Sequence, residues 1–193
     1  MNILRTITVL GNNSGRNAGD NAILGNLLED FSQVRQDLHF RVPTLNAAFV
    51  RENFGRYNVE ALGQMPWNLA VKNFGLPLYR AMTNTDMILI TDNILFDRQL
   101  NNPLVNYLRA ISLFAPFSRK KAIPIVFYNA SIGPIDTPPG KRALQKVMDA
   151  SRLVIARDEN TRDLIHTLRL SHPEIVIHAD CALNTAPPSH EIQ

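Results

Sequence analysis

The segment Met87-Ile88-Leu89-Ile90 is apolar at every position, and Ile123-Pro124-Ile125-Val126-Phe127 continues the same pattern. A strand with one wet face would alternate apolar and polar residues, whereas a strand buried on both faces is a continuous apolar run. The two segments therefore predict strands, over Met87–Thr91 and Ile123–Tyr128, of a parallel sheet that is covered by helices. Other apolar or β-branched runs predict five more strands, of which the third is the weakest: Ile3–Leu10, Leu38–Val42, Tyr57–Leu62, Leu153–Ala156 and Ile175–His178.

Amphipathic helical patterns occupy the gaps between the predicted strands. Each pattern places its apolar side chains on one helical face, and the first follows Asp20, which is a good N-cap residue. The others follow Pro103, Gly140 and Asp158. This repeated alternation is typical of an α/β doubly wound fold, in which a mostly parallel sheet carries helices on both faces.

The domain organisation follows from where the alternation stops. It runs from residue 1 to 184 and predicts one Rossmann-like domain over that range. Residues 185–193, with the sequence TAPPSHEIQ, have no periodicity and indicate a linker or tail. A second domain is expected beyond this segment.

Composition excludes several classes of protein. Of the 193 residues, 45% are hydrophobic and 19% are charged, which is ordinary for a globular core. The net charge of +3 is spread along the chain, so we expect no nucleic-acid partner. The lone Cys181, the lack of a signal-peptide pattern and the lack of a run of about 18 apolar residues predict a cytoplasmic protein. The five histidines show no metal-ligand spacing with that cysteine, so no metal is expected.

At most a peripheral membrane contact is compatible with the sequence. The segment Leu104–Phe117 is followed by the cations Arg119-Lys120-Lys121, a composition found in interfacial helices. A buried helix with cations at its C-terminus, where the helix dipole favours them, is the interpretation that we prefer.

In an open parallel sheet, ligands bind beyond the carboxyl ends of the strands, where loops and helix N-termini converge. Five loops of the predicted sheet place small, amide-bearing or charged residues at this edge, and the loop after the central strand begins with Asp92-Asn93. The candidate ligand-binding residues are Asn13, Asn17, Gly19 and Asp20 after the first strand, Asn129 after Ile123–Tyr128, Arg157 after Leu153–Ala156, and Asp180 near the end.

The first of these loops contains Gly11, Gly15 and Gly19, which permit positive φ angles and close approach of a ligand. Their spacing fits neither the dinucleotide fingerprint nor the phosphate-binding P-loop. Asp20 would repel phosphate, which favours hydrogen bonds to sugar hydroxyls; alternatively, Asp20 only caps the helix. Arg157 also has two interpretations, as a guanidinium that binds a carboxylate or phosphate or as a surface cation.

Four motifs together resemble the polysaccharide pyruvyl transferase family. Asn17-Ala18-Gly19-Asp20-Asn21-Ala22-Ile23-Leu24 is similar to the family's N-x-G-D-x-A-I-L start, and Ser131-Ile132-Gly133-Pro134 is similar to its G-x-x-I-G-P loop. Val154–Thr161 is similar to the i-x-x-R-D-x-x-S element, with threonine in place of serine, and Ala179–Leu183 is similar to the D-x-A-f strand end. The motifs occur in the family's order over nearly the whole chain.

The sequence departs from this pattern at one place. Family members often carry a glycine triplet after the central strand, where this chain has Thr91-Asp92-Asn93, although Asp97 then fits a following aspartate. We therefore expect side chains to crowd a position where family members leave the backbone open.

The resemblance implies a two-domain fold like that of B-type glycosyltransferases, with this chain as the N-terminal Rossmann-like half. The implied reaction moves the enolpyruvyl group of phosphoenolpyruvate, the donor substrate, onto a sugar or lipid-linked saccharide of a surface polysaccharide, with no cofactor. Asn13, Asn17 and Asp20 would form the acceptor side of the cleft, and Arg157 would contact an anion. A histidine and an arginine of the C-terminal domain would do much of the chemistry, so activity would require that domain.

Two other functions remain open from the sequence. The first is the N-terminal domain of a glycosyltransferase that uses a nucleotide sugar, which would bind that nucleotide sugar in place of phosphoenolpyruvate. The second is a stand-alone module that binds a sugar or a small anion without catalysis.

Overall fold

The computed structural model describes residues 4–63, 70–101 and 106–184, without the side chains of 70–75 and 184. Strands and helices alternate along the described chain and end in a short 3-10 helix at Cys181–Asn184. The strands are β1 (Thr6–Leu10), β2 (His39–Thr44), β3 (Val59–Gly63), β4 (Met87–Leu95), β5 (Ile125–Ile132), β6 (Ser151–Ala156) and β7 (Glu174–Ile177). The helices are α1 (Ala18–Val34), α2 (Ala47–Phe54), α3 (Ala70–Thr83), α4 (Tyr107–Lys120), α5 (Pro138–Met148) and α6 (Glu159–Thr167).

The seven strands form one sheet in the order β3-β2-β1-β4-β5-β6-β7. Every pairing is parallel, so the predicted α/β doubly wound fold is confirmed. The chain winds outward in one direction from β1 to β3 and in the other from β4 to β7. The strand order therefore reverses between β1 and β4, and such a switch point opens a crevice at the carboxyl edge of the sheet.

The packing of β4 explains its continuous apolar sequence. Ile88 and Ile90 lie in a buried cluster that includes Leu78 of α3 and Leu108 of α4, whereas Leu89 lies in a second cluster with α1 and α2. Because successive side chains of a strand point to opposite faces, both faces of β4 are covered by helices. The two clusters form the core on the two sides of the sheet.

The central strands end later than the sequence predicts. The expected ends at Thr91 and Tyr128 are wrong, since β4 continues to Leu95 and β5 to Ile132. Both strands continue through irregular pairing, with register shifts between Ile90 and Asp92 and between Tyr128 and Ala130. Apolar runs show only the regular part of a strand, so this irregular part was missed.

Two helix starts also differ from the sequence prediction. The helix expected after Gly140 begins earlier, at Pro138. Thr137 is its N-cap, because the Thr137 side chain accepts a hydrogen bond from the Gly140 N–H. The start expected after Pro103 lies outside the described residues; Asn106 caps the described part of α4. The linker or tail predicted at 185–193 is outside them as well.

Asp97 joins the end of β4 to the start of α5. Its Oδ2 accepts hydrogen bonds from the backbone N–H of Asp136 at 2.9 Å, and from the N–H and hydroxyl of Thr137, both at 2.6 Å. The contact is so close that a Cβ added to Gly140 would lie 2.4 Å from the Cβ of Asp97. Gly140 is therefore required by packing.

We predict that Gly140→Ala lowers the free energy of unfolding by about 1–3 kcal/mol, because the added methyl overpacks this contact. The matched control is Gly25→Ala in α1, where the new methyl would meet Phe54 at an ordinary 3.5 Å. That change is expected to raise stability by up to about 1 kcal/mol, because alanine is the better helix former. Urea unfolding followed by circular dichroism measures both, and equal effects would contradict the packing role.

Candidate functional site

The loop after β1 is organised by Asn17, which is the N-cap of α1. Its side-chain oxygen accepts a hydrogen bond from the Gly19 N–H at 2.9 Å, and its backbone is extended at φ −127° and ψ 122°. The expectation that the helix follows Asp20 is therefore wrong: α1 begins at Ala18, and Asn17 is its cap. Asp20 lies within the first turn of the helix instead.

Asp20 is oriented by a neighbour in the same loop. The Asn12 side-chain amide donates to Asp20 Oδ2 at 2.7 Å. Burial raises the pKa of Asp20 above its usual value, and the hydrogen bonds from Asn12 and Asn17 and the charge of Arg157 offset part of this effect. Because Asp20 does not cap the helix, its carboxylate is available to contact a ligand.

The three glycines of this loop have different roles. Of the three, only Gly15 has a positive φ, at 79°, and an added Cβ there would lie 2.6 Å from the Phe49 ring. A Cβ on Gly11 would lie 2.3 Å from Thr91 Oγ1 and 2.6 Å from Asp92 Oδ2. Gly11 therefore allows the ends of β1 and β4 to come together. Gly19 is exposed, and its N–H is held by the Asn17 cap.

Asp92 is a central residue that our sequence-based choice of ligand-binding residues missed. It is 2% exposed, its φ is 61°, and its Oδ2 accepts a hydrogen bond from the Asn12 N–H at 2.9 Å. Burial raises the pKa of Asp92 to about 7; the negative charge of Asp20 adds to this, while the Asn12 N–H, the Thr91 hydroxyl and Arg157 lower it. The signal available in the sequence was an acidic residue directly after the most apolar strand.

Buried oxygens without partners gather at this edge of the sheet. Among the described residues, four buried side-chain oxygens have no hydrogen-bond partner. Three belong to residues at or just beyond the carboxyl ends of β1, β4 and β5, namely Asn13 Oδ1, Asp92 Oδ1 and Asn129 Oδ1, and the fourth, Asn21 Oδ1, lies in the first turn of α1. Buried polar groups are normally hydrogen-bonded, so such a concentration marks a place where a ligand or water completes the structure.

The side chains of Asn13 and Asn129 are each held through the amide nitrogen. Asn129 donates to the Ala179 carbonyl at 2.9 Å, and Asn13 donates to the Val9 carbonyl at 3.5 Å. Both residues are 2% exposed. The amide oxygen is consequently the free group in each case, and it can only accept a hydrogen bond.

Arg157 lies between two carboxylates. Its Nη1 is 3.4 Å from Asp180 Oδ2, its Nε is 3.7 Å from Asp158 Oδ2, and 30% of its side chain is exposed. Asp158 also caps α6 through the Thr161 N–H at 2.8 Å, as the sequence predicts. The guanidinium is at the site and accessible, but an anionic ligand would share it with these two carboxylates.

Most of the predicted site residues therefore lie at one edge. Those on the ends of strands are Asn13, Asn129, Arg157 and Asp180, and Asp20 joins them from the first turn of α1. Asn17 and Gly19 are exposed at the start of that helix.

The opposite, amino edge of the sheet has an open groove, and none of the four unpartnered oxygens found among the described residues belongs to its lining. It has a volume of about 780 Å³ and is lined by residues that include Arg119, Ser151, Arg152 and Glu174. In the described parts of the chain, no group of three or more His, Cys, Asp or Glu side chains could hold a metal ion. Within the same residues, no helix is long and apolar enough to cross a membrane. The predicted peripheral membrane contact stays a prediction.

A family model for polysaccharide pyruvyl transferases matches residues 17–193. The chain belongs to this family. The match begins at Asn17, the first residue of the first motif, so all four motifs that carry the resemblance fall inside it. Asn13 precedes the matched range.

Solved structures support the fold. The chain is similar to Anabaena Alr3699/HepE in complex with UDP-glucose, with 15% identity and a TM-score of 0.54 over 91% of this chain and 43% of HepE. The complex of HepE with UDP gives 15% identity and a TM-score of 0.51 over 92% of this chain and 44% of HepE. The chain thus spans less than half of the length of HepE. No curated protein sequence matches it.

The resemblance to the family places Asp92 where members often carry a glycine. Its φ of 61° lies in the left-handed region that glycine adopts readily and that aspartate tolerates at a cost. The expected crowding at Thr91-Asp92-Asn93 is seen in the contact of Thr91 and Asp92 with Gly11. Asp92 therefore puts a buried carboxyl on a backbone conformation that favours glycine.

We predict that Asp92 makes the protein less stable as the pH rises. Burial raises the pKa of Asp92 from the usual 3.8 to about 7, so between these pH values the folded protein retains a proton that the unfolded chain releases. Stability attributable to Asp92 is fully present below about pH 4 and falls by about 1.4 kcal/mol per pH unit up to about pH 7.

Urea unfolding at pH 5 and pH 8 measures this loss, and Asp92→Asn should remove most of it. The charged groups that act on Asp92 are Asp20 and Arg157, of which Asp20 contributes in the same direction and is present in both proteins. The nearby Tyr107 and Cys181, with pKa values of about 12 and about 11, do not titrate in this range. An equal loss of stability in the wild type and the variant would contradict the buried carboxyl.

Proposed function

We propose that the chain is the N-terminal, acceptor-binding domain of a polysaccharide pyruvyl transferase, which moves the enolpyruvyl group of phosphoenolpyruvate onto a sugar of a surface polysaccharide. The observation that carries the proposal is the family match over residues 17–193. The oxygens without partners at the sheet edge support an acceptor that brings hydroxyl groups.

The reaction sets clear chemical requirements. Two sugar hydroxyl oxygens bond to C2 of the enolpyruvyl group, the bond from C2 to the phosphate oxygen breaks, and phosphate leaves. C3 gains a proton, and the two hydroxyls lose theirs. The enzyme therefore needs a proton donor toward C3, an acceptor for hydroxyl protons, and cations that hold the carboxylate and the phosphate.

This chain supplies some of these groups. Asp20 is held by Asn12 at 2.7 Å and offers a fixed carboxylate to a sugar hydroxyl. Arg157 offers a cation for the anionic donor, although Asp158 and Asp180 already balance part of its charge. Asn17 contributes indirectly, because it caps the helix that carries Asp20. A C-terminal domain would supply the remaining cation and the proton donor, so activity is expected only when that domain is present.

A second candidate function is glycosyl transfer from a nucleotide sugar. The observation that favours it is the similarity of fold to HepE, whose structure contains UDP-glucose. Both candidates place the sugar acceptor against the carboxyl edge of the sheet and differ in the donor.

The test is an assay of the chain joined to a second Rossmann-like domain, with either phosphoenolpyruvate or UDP-glucose as the donor and a bacterial polysaccharide as the acceptor. Phosphate release with pyruvate ketal on the glycan is the expected result, and residues 1–193 alone should be inactive. Release of UDP instead would favour the second candidate, and no reaction with either donor would contradict both.

The same assay with Asp20→Asn examines the acceptor side. Stability should be nearly unchanged because Asp20 is not the cap, while loss of a charged hydrogen bond should weaken acceptor affinity by roughly ten- to hundredfold. Asn17→Ala is the structural control and should lose about 1 kcal/mol of stability, which Asn17→Asp should restore. Unchanged acceptor affinity in Asp20→Asn would remove that residue from the site.

A further inference from the structure

Asp92 has an unfavourable position that the fold does not require. It combines a positive φ of 61° with an acidic side chain that is 2% exposed, and glycine would adopt the same backbone without strain. Its carboxyl accepts a hydrogen bond from the Asn12 N–H at Oδ2, whereas Oδ1 has no hydrogen-bond partner among the described residues. Strained and unsatisfied residues of this kind collect at functional sites.

The Asp92 carboxyl and the Asn13 amide both lie close to Gly11. A Cβ added to Gly11 would lie 2.6 Å from Asp92 Oδ2 and 3.2 Å from Asn13 Oδ1. The absence of a side chain at Gly11 therefore lets the two groups approach each other. Both side chains are almost completely buried, so their free oxygens are shielded from bulk water.

The neighbouring strand β5 also has a residue with a positive φ, next to the residue that pairs with Asp92. Asn129 of β5 has a φ of 54° and immediately precedes Ala130, which is the residue paired with Asp92 in the sheet. Strands of a sheet lie about 4.8 Å apart, so the two bulged residues are close neighbours. Register shifts at the two positions end regular pairing, as bulges beside binding sites do.

The free atoms define the chemistry of the ligand. Asn13 Oδ1 and Asn129 Oδ1 are acceptors, because their amide nitrogens are held by backbone carbonyls. Burial raises the pKa of Asp92 to about 7, so its free Oδ1 is an acceptor above that pH, where the carboxyl is ionised. A phosphate or carboxylate brings mainly acceptors and would also be repelled by Asp20 and by the ionised form of Asp92. A sugar brings several hydroxyl donors on one rigid ring, which suits acceptors that come from β4, β5 and the loop after β1.

We propose that Asp92, Asn129 and Asn13 form a subsite for the hydroxyl groups of the acceptor sugar and that Asp92 is a specificity-determining residue within it. This subsite rests on the proposed function for the identity of the acceptor. Asp92 Oδ1 accepts a hydrogen bond from one sugar hydroxyl, so a sugar that lacks a hydroxyl there leaves a buried oxygen unpaired and is rejected.

The experiment measures binding of the methyl glycosides of glucose, galactose and mannose to the 193-residue chain by ligand-observed NMR at pH 8, where Asp92 is ionised. Asp92→Asn removes the charge and keeps the shape of the side chain. Asp92→Gly removes the side chain and relieves the backbone strain, so this variant is expected to fold. The matched control is Asp86→Asn at the amino end of β4, where the carboxylate accepts hydrogen bonds from the backbone N–H of Arg5 and Thr6. Circular dichroism checks the fold of each variant.

At least one glycoside should bind the wild type and Asp86→Asn equally. We expect Asp92→Asn to weaken that binding about tenfold and Asp92→Gly by more, up to about a hundredfold. Wild-type affinity in both folded Asp92 variants would overturn the subsite, as would failure of the folded wild type to bind any of the three glycosides.

Phosphoenolpyruvate is the probe that separates this inference from the proposed function. Its binding to the two-domain protein should be the same in the wild type and Asp92→Gly, and a loss in the variant would overturn the assignment of Asp92 to a hydroxyl subsite. If the two-domain protein fails to transfer pyruvate while glycoside binding still depends on Asp92, the proposed function fails and the sugar subsite stands.

Discussion

The close contact between the carboxyl ends of β1 and β4 is the constraint on which the site depends. Gly11 allows it, because any side chain there would collide with Thr91 and Asp92. The Asn12 N–H then bonds to Asp92 across the same junction. From this contact, β2 and β3 extend the sheet on the side of β1, and β5, β6 and β7 extend it on the side of β4. The crevice of the doubly wound sheet opens where these two directions part.

Electrostatics divides this edge into two regions. On the side of β1 and β4, Asp20 and Asp92 and the free amide oxygens form an acceptor-rich surface that suits a neutral ligand with hydroxyl donors. On the side of β6 and β7, Arg157 offers a cation that Asp158 and Asp180 hold in place and partly neutralise. The proposed reaction between a neutral sugar and an anionic donor would use both regions.

Much of the fold could be predicted from the sequence, because burial on both faces leaves a simple apolar signal in strands such as β4. The irregular ends of the strands could not, since the positive φ angles of Asp92 and Asn129 arise from contacts between neighbouring strands. The cap of α1 was assigned to the wrong residue because Asn17 and Asp20 are both good capping residues one turn apart. Which of the two caps the helix depends on the path that the chain takes after β1, and the sequence pattern does not show that path. The free oxygens of the site likewise depend on partners that are distant in sequence, such as Ala179 for Asn129.

The central claim is that the carboxyl edge at β1, β4 and β5 is the ligand site. The most direct test is a map of backbone amide chemical shifts of the isotope-labelled chain during titration with a methyl glycoside that binds. The account predicts that the largest changes fall on the amides of Asn12, Asp92 and Asn129, with smaller changes elsewhere in the sheet. Changes concentrated instead at the amino edge, around Ser151 and Glu174, would contradict it.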